Sequence, residues 1–229
     1  VEELSRESRT CVATVVRFAK KLGYSGFLEM RKALVNSVKT HYQRGDQLLE
    51  APAQAAATLV EVARRDIRNI ELLVQAVDES LLQGAARLLK ASRFRLAIGD
   101  GVSALMTRQL AYLLINTGLP TLEGSPADFA SQVGNLDARD LLIAISITPY
   151  TRETLDAAAY ARKRGIPVLA FTDGPQSPLA KSANLSLPIP GKNLLFSHSL
   201  AAFGVLAHAL AISLAREDPM SSLKKLHEV

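Results

Sequence analysis

Leu141-Leu142-Ile143-Ala144-Ile145-Ser146-Ile147-Thr148-Pro149-Tyr150-Thr151-Arg152-Glu153-Thr154-Leu155 reads as a buried strand that runs into hydroxyl residues and then opens a helix. Its five leading apolar residues, Leu141 to Ile145, suit a strand covered on both faces, as a parallel sheet requires. Ser146, Thr148 and Thr151 then arrive where a helix begins. A helix N-terminus offers free backbone N–H groups and a dipole that favours an anion. An earlier stretch has the same grammar: Leu96-Ala97-Ile98, then Gly99-Asp100-Gly101-Val102-Ser103, then a helical pattern. Two such turns in one sheet imply a phosphate pocket.

Working outward, strands and helices alternate from Phe94 onward. The pattern predicts strands over Phe94 to Ile98, Pro120 to Glu123, Leu141 to Ser146, Val168 to Thr172 and Leu185 to Pro188. It predicts helices over Val102 to Asn116, Pro126 to Gly134, Arg152 to Arg164, Pro178 to Ser182 and Leu195 to Arg216. Alternation at this spacing describes an α/β fold, a parallel sheet with helices on both faces. Ligands of such sheets bind beyond the carboxyl ends of the strands, where Ser103, Ser146, Thr148 and Thr151 fall. Each has a purely structural alternative, since strand-to-helix turns often need glycine and both Ser103 and Thr151 can cap a helix. Thr172-Asp173-Gly174 reads as a plain turn or as a further ligand contact.

The bulk numbers bound the class. With 229 residues, 48% hydrophobic and 21% charged, the chain can hold one domain of ordinary size and a small one, and its composition is that of a folded protein. Its longest apolar candidate, Leu194 to Leu214, contains Ser197, His198, Ser199 and His208 and reads as a helix buried in protein rather than a membrane span. A lone cysteine, Cys11, forms no internal disulfide, which fits a reducing cytoplasm. No signal peptide pattern precedes the body of the chain, and a start at Val1 without Met leads us to expect missing upstream sequence. No metal-ligand spacing appears, and no cofactor is implied. For proton shuttling, Glu153, His198 and His208 are the candidates near pocket edges. Glu153 also suits a helix N-terminus, and His208 suits a hydrogen-bonded place in the core.

Charge points to the N-terminal end. Val1 to Arg44 holds nine Lys/Arg against four Glu, and that excess of five equals the net charge of +5 of the whole chain. Val1 to Ser8 is a short amphipathic helix by spacing. From Val12 to Leu22 the apolar residues Val15, Phe18, Ala19 and Leu22 form the stripe of a helix packed on a neighbour, with Gly23 as its C-terminal cap. The opposite face presents Ala13, Thr14, Arg17, Lys20 and Lys21. The arrangement is that of a helix-turn-helix whose second helix enters a major groove, or of a solvated basic face on a small bundle. Phe27 to Tyr42 continues as a helix through Leu28, Met30, Leu34, Val35 and Val38. Ala53 to Val77 is a long helical stretch whose apolar residues pair across a dimer axis or pack on the chain's own core.

Leu4, Thr14-Val15, Arg17-Phe18, Leu22-Gly23, Gly26-Phe27 and Leu34 resemble the N-terminal domain of the RpiR-type bacterial transcription regulators. The resemblance implies one further helix before Val1. Arg9 stands where that family usually has a turn glycine, and Cys11 where it usually has the serine that caps the recognition helix. Sulfur is a weak acceptor, so this cap should be poorer by ~1 kcal/mol.

The remainder resembles the SIS, or sugar isomerase, fold. Gly99-Asp100-Gly101-Val102-Ser103 matches its glycine-x-glycine-x-serine turn. Ser146-Ile147-Thr148-Pro149-Tyr150-Thr151 matches its second hydroxyl turn, with Pro149 in place of a glycine and one backbone N–H fewer. The resemblance implies a helix-turn-helix domain over residues 1–43, a linker over 44–52 and an SIS domain with leading helices over 53–229. Its ligand residues would be Gly99, Gly101, Ser103, Ser146, Thr148 and Thr151, and its DNA contacts Ala13, Thr14, Arg17, Lys20 and Lys21. It implies a cytoplasmic, non-enzymatic regulator whose partners are operator DNA, a phosphorylated sugar or sugar acid, and further copies in a homodimer or dimer of dimers. The alternatives are an SIS-type sugar-phosphate isomerase, or a sensing module that acts through another protein.

Overall fold

The computed structural model describes residues 1–34, 55–193 and 198–217. They fall into two units, one within Val1–Thr58 and one beginning at Leu59. The expected linker over 44–52 and the later part of the helix expected over Phe27 to Tyr42 lie outside the described residues.

In the larger unit, Leu141–Ile145 (β3) is the central strand of a five-stranded parallel sheet of order β2-β1-β3-β4-β5. The other strands are Arg95–Ile98 (β1), Thr121–Glu123 (β2), Val168–Thr172 (β4) and Leu185–Pro188 (β5). Every residue of β1, β3 and β4 is buried, the condition their uninterrupted side-chain patterns predict. Alternation along β3 divides the core. Leu141, Ile143 and Ile145 join one cluster with residues of Glu79–Ala91 (α5), Val102–Asn116 (α6) and Ala201–Glu217 (α9). Leu142 and Ala144 join another with Phe129–Gly134 (α7) and Arg152–Lys163 (α8). Small residues set the α8 packing, where Ala158 and Ala161 lie fully buried near Ala144 and Ala170. On the other face Phe171 and Phe203 meet edge to face, with ring centroids 5.8 Å apart.

The long helix before the sheet is Ala55–Ala76 (α4), and Asp78 caps α5 through a bond from the Leu81 N–H. Three expected helices are shorter or divided. Pro126–Asp128 is a tight 3-10 turn that precedes α7, and the stretch from Pro178 holds only a 3-10 turn at Ala180–Ser182. The last helix begins at Ala201, so His198 and Ser199 lie in the connection before it. The Ser199 N–H is held by the Gly191 carbonyl, and its hydroxyl accepts from the Ala201 N–H. Those bonds hold 198–200 out of the helix expected from Leu195, and residues 195–197 of that expectation lie outside the described residues. His208 is exposed on α9, where its Nδ1–H donates to the Gly204 carbonyl at 2.8 Å, which corrects its expected place in the core. Among the described residues no helix is long and apolar enough to cross a membrane.

The smaller unit contains Glu2–Glu7 (α1), Val12–Lys21 (α2) and a third helix, α3, described over 27–34. Among the described residues Val15, Ala19 and Met30 are its buried apolar residues. Phe18 and Leu22, expected on the same packed stripe, are 55% and 54% exposed. Gly23 ends α2 as expected: at φ 91° it lets its own N–H reach Lys20 O and the Tyr24 N–H reach Ala19 O. Arg9, between α1 and α2, has φ 50°, a left-handed conformation that costs an L-residue about 1–2 kcal/mol.

Candidate functional site at the carboxyl edge of the sheet

The strand order reverses between β1 and β3, which are hydrogen-bonded neighbours in register from Arg95 opposite Leu141 to Ile98 opposite Ala144. Both hydroxyl-bearing turns therefore leave the sheet side by side at its topological switch point. Gly99 and Gly101 serve the first turn for different reasons. A Cβ on Gly99 would lie 2.6 Å from Thr107 Oγ1 and 2.8 Å from Ser103 O, so only glycine lets α6 approach. Gly101 has open space around it but φ 58°, ψ −126°, which side chains rarely adopt. Ser103 is buried in the first turn of α6, and α6 has no side-chain cap. Its hydroxyl is thus not spent on capping.

Ser146 follows β3 and is likewise buried, and neither its hydroxyl nor that of Ser103 takes part in a hydrogen bond with another described residue. Thr151 occupies the N-cap position of α8 with extended backbone. Its hydroxyl donates to Thr154 Oγ1 at 2.9 Å and caps no backbone N–H, so the N-terminus of α8 also stays open. On the other unit, Ala13, Thr14, Arg17, Lys20 and Lys21 are all exposed on α2, opposite buried Val15 and Ala19. Cys11 precedes this helix without capping it: its Sγ lies 3.1 Å from Thr14 Oγ1, and that bond lowers the thiol pKa.

The SIS domain profile matches residues 88–213. An uncharacterized HTH-type transcriptional regulator of Clostridium perfringens is 22% identical over 205 residues, 84% of this chain and 70% of that protein. The sugar isomerase domain of an RpiR transcription factor from Sphaerobacter thermophilus is 27% identical, with a TM-score of 0.71 over 74% of this chain and 96% of that one. The Vibrio vulnificus NanR protein complexed with ManNAc-6P is 25% identical, with a TM-score of 0.71 over 99% of this chain and 83% of that one. The chain belongs to the SIS domain family, as an RpiR-type regulator.

In this RpiR-type regulator the second hydroxyl turn is fastened by Asp173, which the sequence offers as part of a plain turn or as a further ligand contact. Asp173, just past β4, accepts from the Thr148 hydroxyl and from the Thr148 N–H at 3.4 Å. Its other oxygen accepts from the Tyr150 hydroxyl at 2.7 Å and the Thr172 hydroxyl at 3.2 Å. Burial pushes the carboxyl pKa up, but the bonds from Thr148, Tyr150 and Thr172 outweigh it, and the net shift is downward. Burial raises the Tyr150 phenol, which keeps it a donor. His198 lies 2.6 Å from the Thr148 carbonyl through Nε2, so Nε2 carries the donated proton. Its buried Nδ1 has no partner among the described residues.

The two turns therefore differ in what they leave free. Thr148 has committed its hydroxyl to Asp173, while Ser103 and Ser146 have not. Asp100 takes the Gly101 N–H at 2.7 Å, which removes one backbone donor from the first turn. Glu153 is exposed and lines a cleft with Phe129, Val133 and Tyr160 between α7 and α8. In sequence Asp173 is legible as an acid one residue beyond a buried strand, while its bonds to the second turn reach Thr148 and Tyr150, more than twenty residues away.

Proposed function

We propose that this RpiR-type regulator senses a phosphorylated sugar or sugar acid between the β1 and β3 turns and binds operator DNA through α2. The observation that carries the reading is the pair of buried serines, Ser103 and Ser146, with hydroxyls uncommitted among the described residues, on adjacent turns. Their neighbours are the uncapped N-termini of α6 and α8, which favour an anion. Ser103, Ser146 and Thr151 would hold the phosphate against backbone N–H groups, with Gly99 and Gly101 shaping the first turn. Thr148 would join by exchanging its bond to Asp173. The likeness to a NanR protein complexed with ManNAc-6P supports this ligand class.

Ala13, Thr14, Arg17 and Lys20 would read the major groove, and Lys21 would meet phosphate. The cytoplasmic regulator would work as a homodimer or dimer of dimers. A ligand that prefers one arrangement of the dimer would change the spacing of paired DNA-binding units and so the operator affinity. We read the sensor as non-enzymatic: Glu153 lines the α7–α8 cleft, and His198 is engaged with the Thr148 carbonyl.

Thermal stabilisation against a panel of phosphorylated sugars and sugar acids tests the sensor, because a ligand that binds only the folded state raises its melting temperature. A selective rise that Ser146→Ala reduces at least tenfold in apparent affinity is the expected result. A rise that is identical in Ser146→Ala would remove that serine from the site, and no rise with any phosphorylated compound would defeat the assignment.

A further inference from the structure

Helix α4 has two faces of different kind. Asn69 and Leu73 are buried, with Asn69 Nδ2 donating to Lys192 O at 2.9 Å, and Ile70 packs against the sheet-side core. The opposite face is exposed and apolar where a solvated helix would be charged: Val60 is 47%, Ile67 57% and Val74 69% exposed. Arg64 and Glu71 lie between them, so that Val60, Arg64, Ile67, Glu71 and Val74 follow one another at spacings of four, three, four and three residues. Those spacings place all five on one line along the helix.

The line is self-complementary when reversed. Turned about a two-fold axis through Ile67, Val60 meets Val74, Ile67 meets its own copy, and Arg64 meets Glu71. A parallel pair in register instead sets Arg64 against Arg64 and Glu71 against Glu71. Arg64 engages no carboxylate among the described residues, and Glu71 is held only by an exposed contact of 3.1 Å with Arg68. Both charges are therefore available to a partner, and their order selects the antiparallel arrangement. An isologous contact of this kind uses the same patch on both subunits.

We propose that α4 pairs antiparallel with α4 of a second copy of this chain, with Ile67 at the two-fold axis and reciprocal Arg64–Glu71 ion pairs on either side. This names the contact for the dimer in the functional reading above, and rests on that part of it. The pairing fixes the direction in which the two chains run toward their N-terminal units.

Cysteine cross-linking of the full chain tests the register. In a Cys11→Ser background, which removes the one native thiol, Val60→Cys and Val74→Cys are prepared separately, mixed, and oxidised gently. An antiparallel pair brings residue 60 of one copy to residue 74 of the other, while like positions stand about 21 Å apart at 1.5 Å per residue, far beyond disulfide reach. The expected result is a covalent dimer in the mixture and none with either variant alone. A dimer from either variant alone, or none in the mixture, overturns the proposal; the latter is also the result if another protein surface covers this stripe. As a second reading, Arg64→Glu or Glu71→Arg alone should reduce cross-linking several-fold and the double reversal should restore it. Effector stabilisation and operator binding are measured separately, so a failure here is distinguishable from a failure of the sensing reading. All four positions are exposed, and unchanged melting temperatures would establish that the variants fold.

Discussion

Replacing Asp173 with alanine should unfasten the turn that carries the candidate ligand residues. The carboxylate accepts from Thr148, Tyr150 and Thr172, and the consequences differ among them. Thr148 is exposed, so water can replace its acceptor at small cost. Tyr150 is partly covered, and Thr172 is fully buried, so its hydroxyl would be left without an acceptor. A buried donor left unsatisfied costs about 1–3 kcal/mol, and a bond to a charged acceptor is worth about 1.5–3 kcal/mol. Discounting the solvated donors, Asp173→Ala should cost about 3 kcal/mol. Asp173→Asn should cost only about 1 kcal/mol, because the amide oxygen can still serve Thr148 while the Tyr150 and Thr172 hydroxyls turn to accept from its nitrogen.

Urea unfolding followed by circular dichroism measures both. With a slope of about 2 kcal/mol/M, the alanine midpoint should fall by about 1.5 M at pH 7. The pH dependence adds a sharper test. The Asp173 pKa is lowered in the fold, so its contribution is complete above the unfolded value of about 3.9 and is lost as pH falls through the folded value. A protonated carboxyl and an amide have nearly the same shape and neither is charged, so wild type and Asp173→Asn should converge only as pH falls below the unfolded value and through the lowered folded one. An alanine variant within about 0.5 kcal/mol of wild type at pH 7 would refute the reasoning, since surface substitutions alone give that much. An asparagine difference that persists unchanged at low pH would refute the ionic part of it.

Gly99→Ala should destabilise the larger unit by about 2–3 kcal/mol and abolish effector stabilisation, because the new Cβ meets backbone of α6 as well as Thr107; a variant that melts and binds like wild type would show that α6 can move aside. Arg9→Gly should relieve the left-handed conformation at φ 50° and stabilise the α1–α2 unit by about 0.5 kcal/mol after the entropy of glycine is counted, read as slower hydrogen exchange of α2 amides in the full chain. Faster exchange would mean that the turn is set by the Arg9 side chain. Arg17→Ala should weaken binding to an operator selected from random DNA by the wild-type chain at least tenfold and lower the slope of affinity against salt by about one, with the melting temperature unchanged. Equal affinity at matched salt would remove Arg17 from the interface.

What could be read beforehand followed from the range of the forces involved. Continuous burial is written locally, so the apolar patterns mark β4 and β5 to the residue, and helical spacing gives both ends of α6. Gly23 and the exposed basic residues of α2 follow from the same short-range rules. The misplacements share another cause. Leu194 to Leu214 has helical composition throughout, but Ser199 is tied to Gly191 and His198 to Thr148, fifty residues away, and those bonds hold residues 198–200 out of the helix that begins at Ala201. Asp173 shows the same limit at the site itself: by composition it belongs to a turn, and only its position one strand over from Thr148 makes it the acceptor for that turn. A pattern search finds hydroxyls where a phosphate could sit, but it cannot tell which of them are already donating. Here that distinction separates Thr148 from Ser103 and Ser146, and it means that a ligand reaching Thr148 must compete with a carboxylate held below its ordinary pKa. In the proposed site, a phosphate that takes the Thr148 hydroxyl would release it from Asp173, and that exchange would couple binding to the conformation of the β3–α8 turn.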